Sequence, residues 1–546
     1  MRKLFSLIIL ISLYLTTPPV SGSAISNYFT PYGFSTPMLE QGQLALSFNP
    51  DYYRYEFQQD LTSSVFLDDL LQSESTQKQY SFSLNGIYAL TDAVIFQTSL
   101  VLYPGQLRST SRYVWTLPYG DGNPVEYEIK EHSEFVASPG VGLSFRPRTN
   151  VQFHADFRLG KERGFSQYLD HEYDERLIDF KVEDICSNLG FTILGRLSGE
   201  KLTQGLDSRI FNFLRPYGFK APLIDQGQYV VTFNFLYART EMSEDWVSDP
   251  NPYESTWERY YFSLRGLYAM TERLLFQGTL EVHPAQTRET KERKSPSVVW
   301  DYDELHSDFM VVPCLTASLR PKVNMEFYGV FRFMREDLRE IRPPDLFDSQ
   351  VRNDIYYLEL GYTILGKGSA RASTPIPGSE FSNFFTPHGF RTPVLKQGQC
   401  ALNAHSRYSR TESEEHYPQS IHRENDRSLD KTYYFSLNGV YAVLDELIFE
   451  CDLDIFPGQT RVTNRYRWRD YPDGFREEID EQHSHFMVSP RLTISYRPQT
   501  NVEFFGVFSF NKEKTYVEDQ FGERTDDSRN EYLHFNLGLT ILGIPW

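Results

Sequence analysis

Four cysteines in 546 residues, Cys186, Cys314, Cys400 and Cys451, are too few for a disulfide scaffold. No spacing among them suggests a zinc site or a thiol motif, so no metal and no cofactor are expected. Beyond the opening residues, no stretch approaches the roughly eighteen apolar residues of a membrane-crossing helix, which excludes helical spans there. Basic residues are in deficit: 54 Lys and Arg against 73 Asp and Glu leave a net charge of -19. Such a balance argues against nucleic acid as a partner, because its phosphates need a basic surface.

Aromatic residues are abundant, at 15% of the chain with 36 Tyr and 42 Phe. A mean hydropathy of -0.46 looks soluble, but it also fits a β-barrel, whose strands face water or protein on one side. Arg2 and Lys3, the apolar stretch Leu4 to Leu15 and the small residues up to Ala24 read as a secretory signal, residues 1–24.

A passage of roughly 175 residues occurs three times. Tyr80-Ser-Phe-Ser-Leu-Asn-Gly-Ile-Tyr-Ala-Leu90 returns as Tyr260-Tyr-Phe-Ser-Leu-Arg-Gly-Leu-Tyr-Ala-Met270 and Tyr433-Tyr-Phe-Ser-Leu-Asn-Gly-Val-Tyr-Ala-Val443. The copies are assigned to residues 25–207, 208–379 and 380–546, expected to close as one barrel. Each opens with a Pro/Gly box: Thr30-Pro-Tyr-Gly-Phe-Ser-Thr-Pro37, Arg215-Pro-Tyr-Gly-Phe-Lys-Ala-Pro222 and Thr386-Pro-His-Gly-Phe-Arg-Thr-Pro393. Pro lacks a donor and Gly weakens pairing, so the box reads as an ordered turn leading into the first strand.

Within each copy the alternation of apolar and polar residues is period two, the mark of strands with two unlike faces. Leu533, Phe535, Leu537, Leu539 and Ile541 fall on one side of the last strand; His534, Asn536, Gly538 and Thr540 fall on the other. In the first copy six strands run near Gly42–Glu56, Gln79–Leu90, Val94–Arg108, Glu131–Arg146, Val151–Gly160 and Asp184–Leu194. Short turns such as Pro147-Arg-Thr-Asn150 alternate with long polar loops such as Leu61–Lys78 and Thr411–Lys431, as in outer-membrane barrels. Six strands per copy imply an all-β, antiparallel transmembrane barrel of about eighteen strands. Pro139, Pro313 and Pro490 recur inside the fourth strand, where a bulge or kink is expected.

The Thr-Pro box, the Gln-Gly-Gln that follows it and the Phe-Arg-Pro-Arg-Thr-Asn turn resemble those of bacterial outer-membrane channel proteins. The resemblance covers essentially the whole mature chain, and some such proteins are linked to uptake of aromatic or apolar compounds. It implies a porin-like channel for small solutes in the bacterial outer membrane, not an enzyme. Its partners would be outer-membrane lipid, small solutes and the barrel-assembly machinery, with Trp546 a plausible assembly signal. The alternative is a structural or adhesive surface protein with a plugged barrel; the oligomeric state stays open.

If the apolar faces meet lipid, the other faces line the interior. Gln97 on the third strand of the first copy points inward, as do Gln277 and Glu281 in the second and Glu450, Asp452 and Asp454 in the third. Glu359, Arg491, Arg497 and Glu503 join them from neighbouring strands. Three acids in a row favour cations in a wet pore, or brace the wall as an ion-pair network. His132, His306 and His483 each precede a Ser, but adjacent strand residues face opposite ways, which argues against a hydrolase pair.

Overall fold

The computed structural model describes residues 29–62, 70–116, 124–133, 136–170, 174–196, 214–246, 253–284, 286–295, 298–322, 324–342, 347–367, 384–416, 423–457, 459–468, 476–518 and 524–542. The signal, Trp546 and most of the joints between copies lie outside these residues. So do the side chains of His306 and His483.

All described regular structure is antiparallel β. The first copy supplies β1 (Leu44–Thr62), β2 (Leu70–Thr91), β3 (Val94–Tyr103), β4 (Gln106–Thr116), β5 (Pro124–Ser133), β6 (Val136–Arg148), β7 (Val151–Asp170) and β8 (Asp174–Arg196). The second supplies β9 (Gln228–Trp246), β10 (Tyr253–Ala269), β11 (Leu274–His283), β12 (Gln286–Ser295), β13 (Val298–Lys322), β14 (Met325–Arg342) and β15 (Phe347–Lys367). The third supplies β16 (Gln399–His416), β17 (Arg423–Ala442), β18 (Leu447–Phe456), β19 (Gln459–Trp468), β20 (Arg476–Gln499), β21 (Val502–Glu518) and β22 (Arg524–Leu542).

These segments make eighteen staves. β3 with β4, β5 with β6, β11 with β12, and β18 with β19 each share one stave, because each pair lies between the same neighbours. Three of these four breaks fall at Pro104, Pro284 and Pro457, where the missing N–H interrupts the ladder. β22 pairs with β1 along Ala45↔Leu542 to Leu61↔Asp526, which closes the ring. Eighteen staves at ~4.8 Å spacing and a tilt of ~40° give a backbone ring ~35 Å across.

The exterior is apolar. Leu84, Leu264, Leu437, Leu315, Phe331 and Leu360 all stand exposed there. In water such a surface would drive aggregation; against hydrocarbon it is the favourable face. Tyrosine pairs mark one edge of this band: Tyr52 with Tyr80, Tyr237 with Tyr260, and Tyr408 with Tyr433, at ring separations of 4.7, 5.2 and 5.1 Å. Tyr88, Tyr268 and Tyr441 mark the other, eight residues along the same staves or ~27 Å of strand.

Two expectations are corrected here. The stretches read as long polar loops, Leu61–Lys78 and Thr411–Lys431, are largely strand: β1 pairs with β2 up to Thr62↔Leu70, and β16 with β17 up to His416↔Asn425. Beyond the lipid both faces of a stave meet water, so the alternation that reveals a strand disappears. Nor does the fourth stave bulge at its proline. Bridges lapse around Pro313, but Val311↔Arg335 and Cys314↔Arg332 keep one register. The shift comes later, between Leu319 and Lys322, and recurs between Phe145 and Arg148 and between Tyr496 and Gln499. It therefore sits at Arg-Pro, next to the turn.

Candidate functional site

The Pro/Gly boxes do not simply lead into the first strands. They fold back inside the barrel at its short-turn end and form an inner belt. The three boxes meet where Phe29, Leu214 and Phe385 pack into one buried apolar cluster. Each then turns through a glycine with positive φ, Gly33 at 84°, Gly218 at 75° and Gly389 at 79°, a conformation that side chains rarely adopt. A Cβ there would also press on Thr232, Thr363 or Thr540 respectively.

After the glycine, Phe34, Phe219 and Phe390 reach the inward face of the next copy. Phe34 packs with Val230, Leu267 and Leu275, Phe219 with Ala401, Val440 and Ile448, and Phe390 with Ala45, Ile87 and Ile95. The third box thus packs on the first copy, and the belt closes as a ring inside a ring.

Polar clamps hold each box to the fourth, fifth and sixth staves of its own copy. In the second copy Arg320 donates to the carbonyls of Ala221 and Pro222, both at 2.7 Å, and lies 3.4 Å from Glu326. Glu326 accepts from the Lys220 backbone N–H at 2.6 Å, and Thr363 donates to the Gly218 carbonyl at 2.7 Å. In the third copy Arg497 donates to the Pro393 carbonyl at 2.8 Å and to Glu503 at 2.9 Å. Glu503 also accepts from the Arg391 N–H, and Thr540 donates to the Gly389 carbonyl. In the first copy Gln152 replaces the glutamate, accepting from the Ser35 N–H and donating to Thr36, both at 2.6 Å. Arg146 still reaches the Leu39 carbonyl. Glu326 and Glu503 have 0% exposure and their arginines 4%, so these are fully desolvated charges that are paired and hydrogen-bonded.

The inward positions singled out in the sequence divide into three groups. Arg497 and Glu503 belong to the clamp just described. Gln97, Gln277 and Glu450 occupy equivalent positions on the third staves, and each meets a box from the preceding copy. Tyr32 donates to Gln277 at 2.5 Å, Tyr217 donates to Glu450, and His388 shares with Gln97 a cavity of about 410 Å³. The rest stand along the wall. Glu281 lies 3.4 Å from Arg332, Glu359 2.8 Å from Lys220, and Asp452 4.0 Å from Arg491; Asp454 accepts from Tyr434 at 2.6 Å. The acid row is thus shared among different partners: Tyr217 and Asn438 for Glu450, Arg491 for Asp452, Tyr434 for Asp454.

Several of these wall charges remain wet. The side chains of Arg332 and Arg491 are 46% and 38% exposed although both point inward. Above the belt, then, charged side chains on the inner face stay accessible to solvent.

Reading the sequence alone missed Arg146, Arg320, Gln152, Glu326 and three threonines: Thr363, Thr540 and Thr192, which donates to the Gly33 carbonyl at 2.6 Å. Their signal was recurrence: an Arg-Pro turn followed by an inward Gln or Glu in all three copies.

All four cysteines are free. His132 stacks on Phe165 with ring centroids 4.7 Å apart. Among the described residues no cluster of His, Cys, Asp and Glu is arranged to hold a metal ion.

No protein-family profile and no curated protein matches this chain. Among solved structures, it is similar to the Pseudomonas putida toluene transporter TodX at 9% identity, covering 95% of this chain and 98% of that one with a TM-score of 0.32. A Pseudomonas aeruginosa FadL homologue matches at 10% identity, 96% and 98% coverage and a TM-score of 0.30. The siderophore receptor PiuA from Acinetobacter baumannii matches at 9% identity, 92% and 82% coverage and a TM-score of 0.42. The fold rests on the strand pairing itself: the chain is a closed, eighteen-stranded antiparallel β-barrel of the transmembrane kind, with an inner belt at its short-turn end.

Proposed function

We propose that this chain is an outer-membrane channel for small solutes, narrowed at one end by its own inner belt. The observation that carries this reading is the charged, solvent-accessible inner face of a wide ring. A protein needing only a solid β-scaffold would fill eighteen staves with apolar side chains, since unshared charge is costly in a dry core. Here Arg332 and Arg491 face inward with side chains 46% and 38% exposed, which supports a solvated bore.

The belt acts as the filter. At its centre Phe29, Leu214 and Phe385 close the axis, so solute passes between boxes and wall. Such spaces among the described residues include the 410 Å³ cavity beside His388 and one of about 850 Å³ between the first two boxes. The outer membrane is the location this reading implies, with no catalytic step.

The same belt favours a second reading, a structural or adhesive surface protein whose barrel is permanently plugged. Reconstitution in planar bilayers separates the two. Discrete conductance steps are the expected result; folded but silent protein would support the plugged scaffold instead.

A further inference from the structure

We infer that the 850 Å³ cavity between the first and second boxes is a binding site for a small aromatic carboxylate. This names a solute class for the channel proposed above, and rests on that reading only for the route by which solute arrives.

The chain as a whole carries a net charge of -19, a field that keeps anions away. The side chains that line this cavity have the opposite character, with Glu450 standing behind its Tyr217 and Asn438. Arg215, Lys220, Arg265, His154 and His405 line it, and no Asp or Glu stands among its described lining residues. Lys220 is offset by Glu359, at 2.8 Å behind the surface. Arg265 and Arg215 have no carboxylate partner among the described residues. Arg265 also buries its Nε without a hydrogen bond, and its neighbour is the Tyr32 hydroxyl, which donates to Gln277. A guanidinium so placed presents a planar fork suited to a carboxylate.

The basic character belongs to one sector of the barrel. Arg265 stands where the other copies have Asn85 and Asn438, and Arg215 where they have Thr30 and Thr386. The repeat therefore tolerates neutral residues at both positions, and its scaffold does not require the two arginines. Tyr32, Tyr217 and Tyr328 supply aromatic surface around the same space, and Asn234 and Asn403 supply amides. Aromatic walls with a few convergent polar groups are the usual make-up of a small-molecule site.

The test is titration calorimetry on the detergent-solubilised full chain with sodium benzoate, benzyl alcohol and benzylamine. Benzoate should bind, and the neutral and cationic analogues should bind at least about tenfold more weakly. Arg265→Asn, which copies the chain's own alternative, should weaken benzoate about tenfold without loss of the folded barrel. Equal binding of the three compounds, an unchanged Arg265→Asn variant, or no benzoate binding by folded protein would overturn the site. Bilayer recordings keep the two readings apart. Conductance without benzoate binding removes the site and leaves the channel; benzoate binding with silent bilayers removes the channel and leaves the site.

Discussion

Phe29 and Phe385, more than 350 positions apart in the chain, meet edge to face with ring centroids 5.7 Å apart. With Leu214 they form the apolar centre at which the three boxes converge. In the channel proposed here, this cluster would obstruct the bore where the three boxes meet. Replacing all three by Ala should enlarge single-channel conductance several-fold, because the clamps at the wall stay intact. Unchanged conductance steps would show that current flows elsewhere.

The Arg497–Glu503 clamp is buried beyond the reach of water. Removing one partner leaves the other charged and unpaired, so Arg497→Ala should cost about 3–5 kcal/mol. Glu503→Gln should cost less, since the first copy already uses Gln152 at the matching place. Urea titration of the detergent-folded barrel, with proteolysis of the third box, measures the difference. Equal losses from the two variants would refute this view of the clamp.

His388 is the one box residue of its position that can titrate near neutrality. Packing of the box against the wall partly desolvates its imidazole and pushes the pKa down from 6.5 to about 4. The docked imidazole is therefore neutral, while a released one would take up a proton below about pH 6.5. Docking of the third box is unaffected above that value. It weakens as pH falls toward about 4, by a total on the order of 3 kcal/mol. His388→Tyr, which matches Tyr32 and Tyr217, should abolish the acid effect. Hydrogen exchange of the third box between pH 7 and pH 4 reads it, and identical acid responses in both proteins would count against it.

The acids Glu450, Asp452 and Asp454 each have a partner, yet among the described residues only Asp452 is paired with a cation, Arg491, and that at 4.0 Å. Their charge is incompletely balanced, and the expected consequence for the proposed channel is a mild preference for cations in this sector. A single variant combining Glu450→Gln, Asp452→Asn and Asp454→Asn removes that charge while keeping side-chain size. Its reversal potential in a salt gradient should move toward anions. No movement would mean that the row only braces the wall.

How much of this was legible in the sequence follows from where period two survives. Across the lipid band, Tyr80 to Leu90 alternates because one face meets hydrocarbon, so strand number, facing and closure could be read. Beyond the band, Gln58, Glu74 and Lys78 meet water whichever way they point, and the strands passed for loops. The belt was hidden for another reason. Its box has no periodicity, and its partners Arg320 and Glu326 lie about a hundred residues away along the chain. Only the triple recurrence of the Arg-Pro turn hinted at a common task. Nor did the alternation show why Gly361 and Gly538 are small: the rings of Tyr328 and Phe505 crowd these inward positions.

A density map of the detergent-solubilised protein tests the arrangement most directly. It should show one ring of eighteen staves per chain, with the three boxes inside the short-turn end and meeting at Phe29, Leu214 and Phe385. An empty bore with the boxes outside the wall, or three separate small rings, would contradict it.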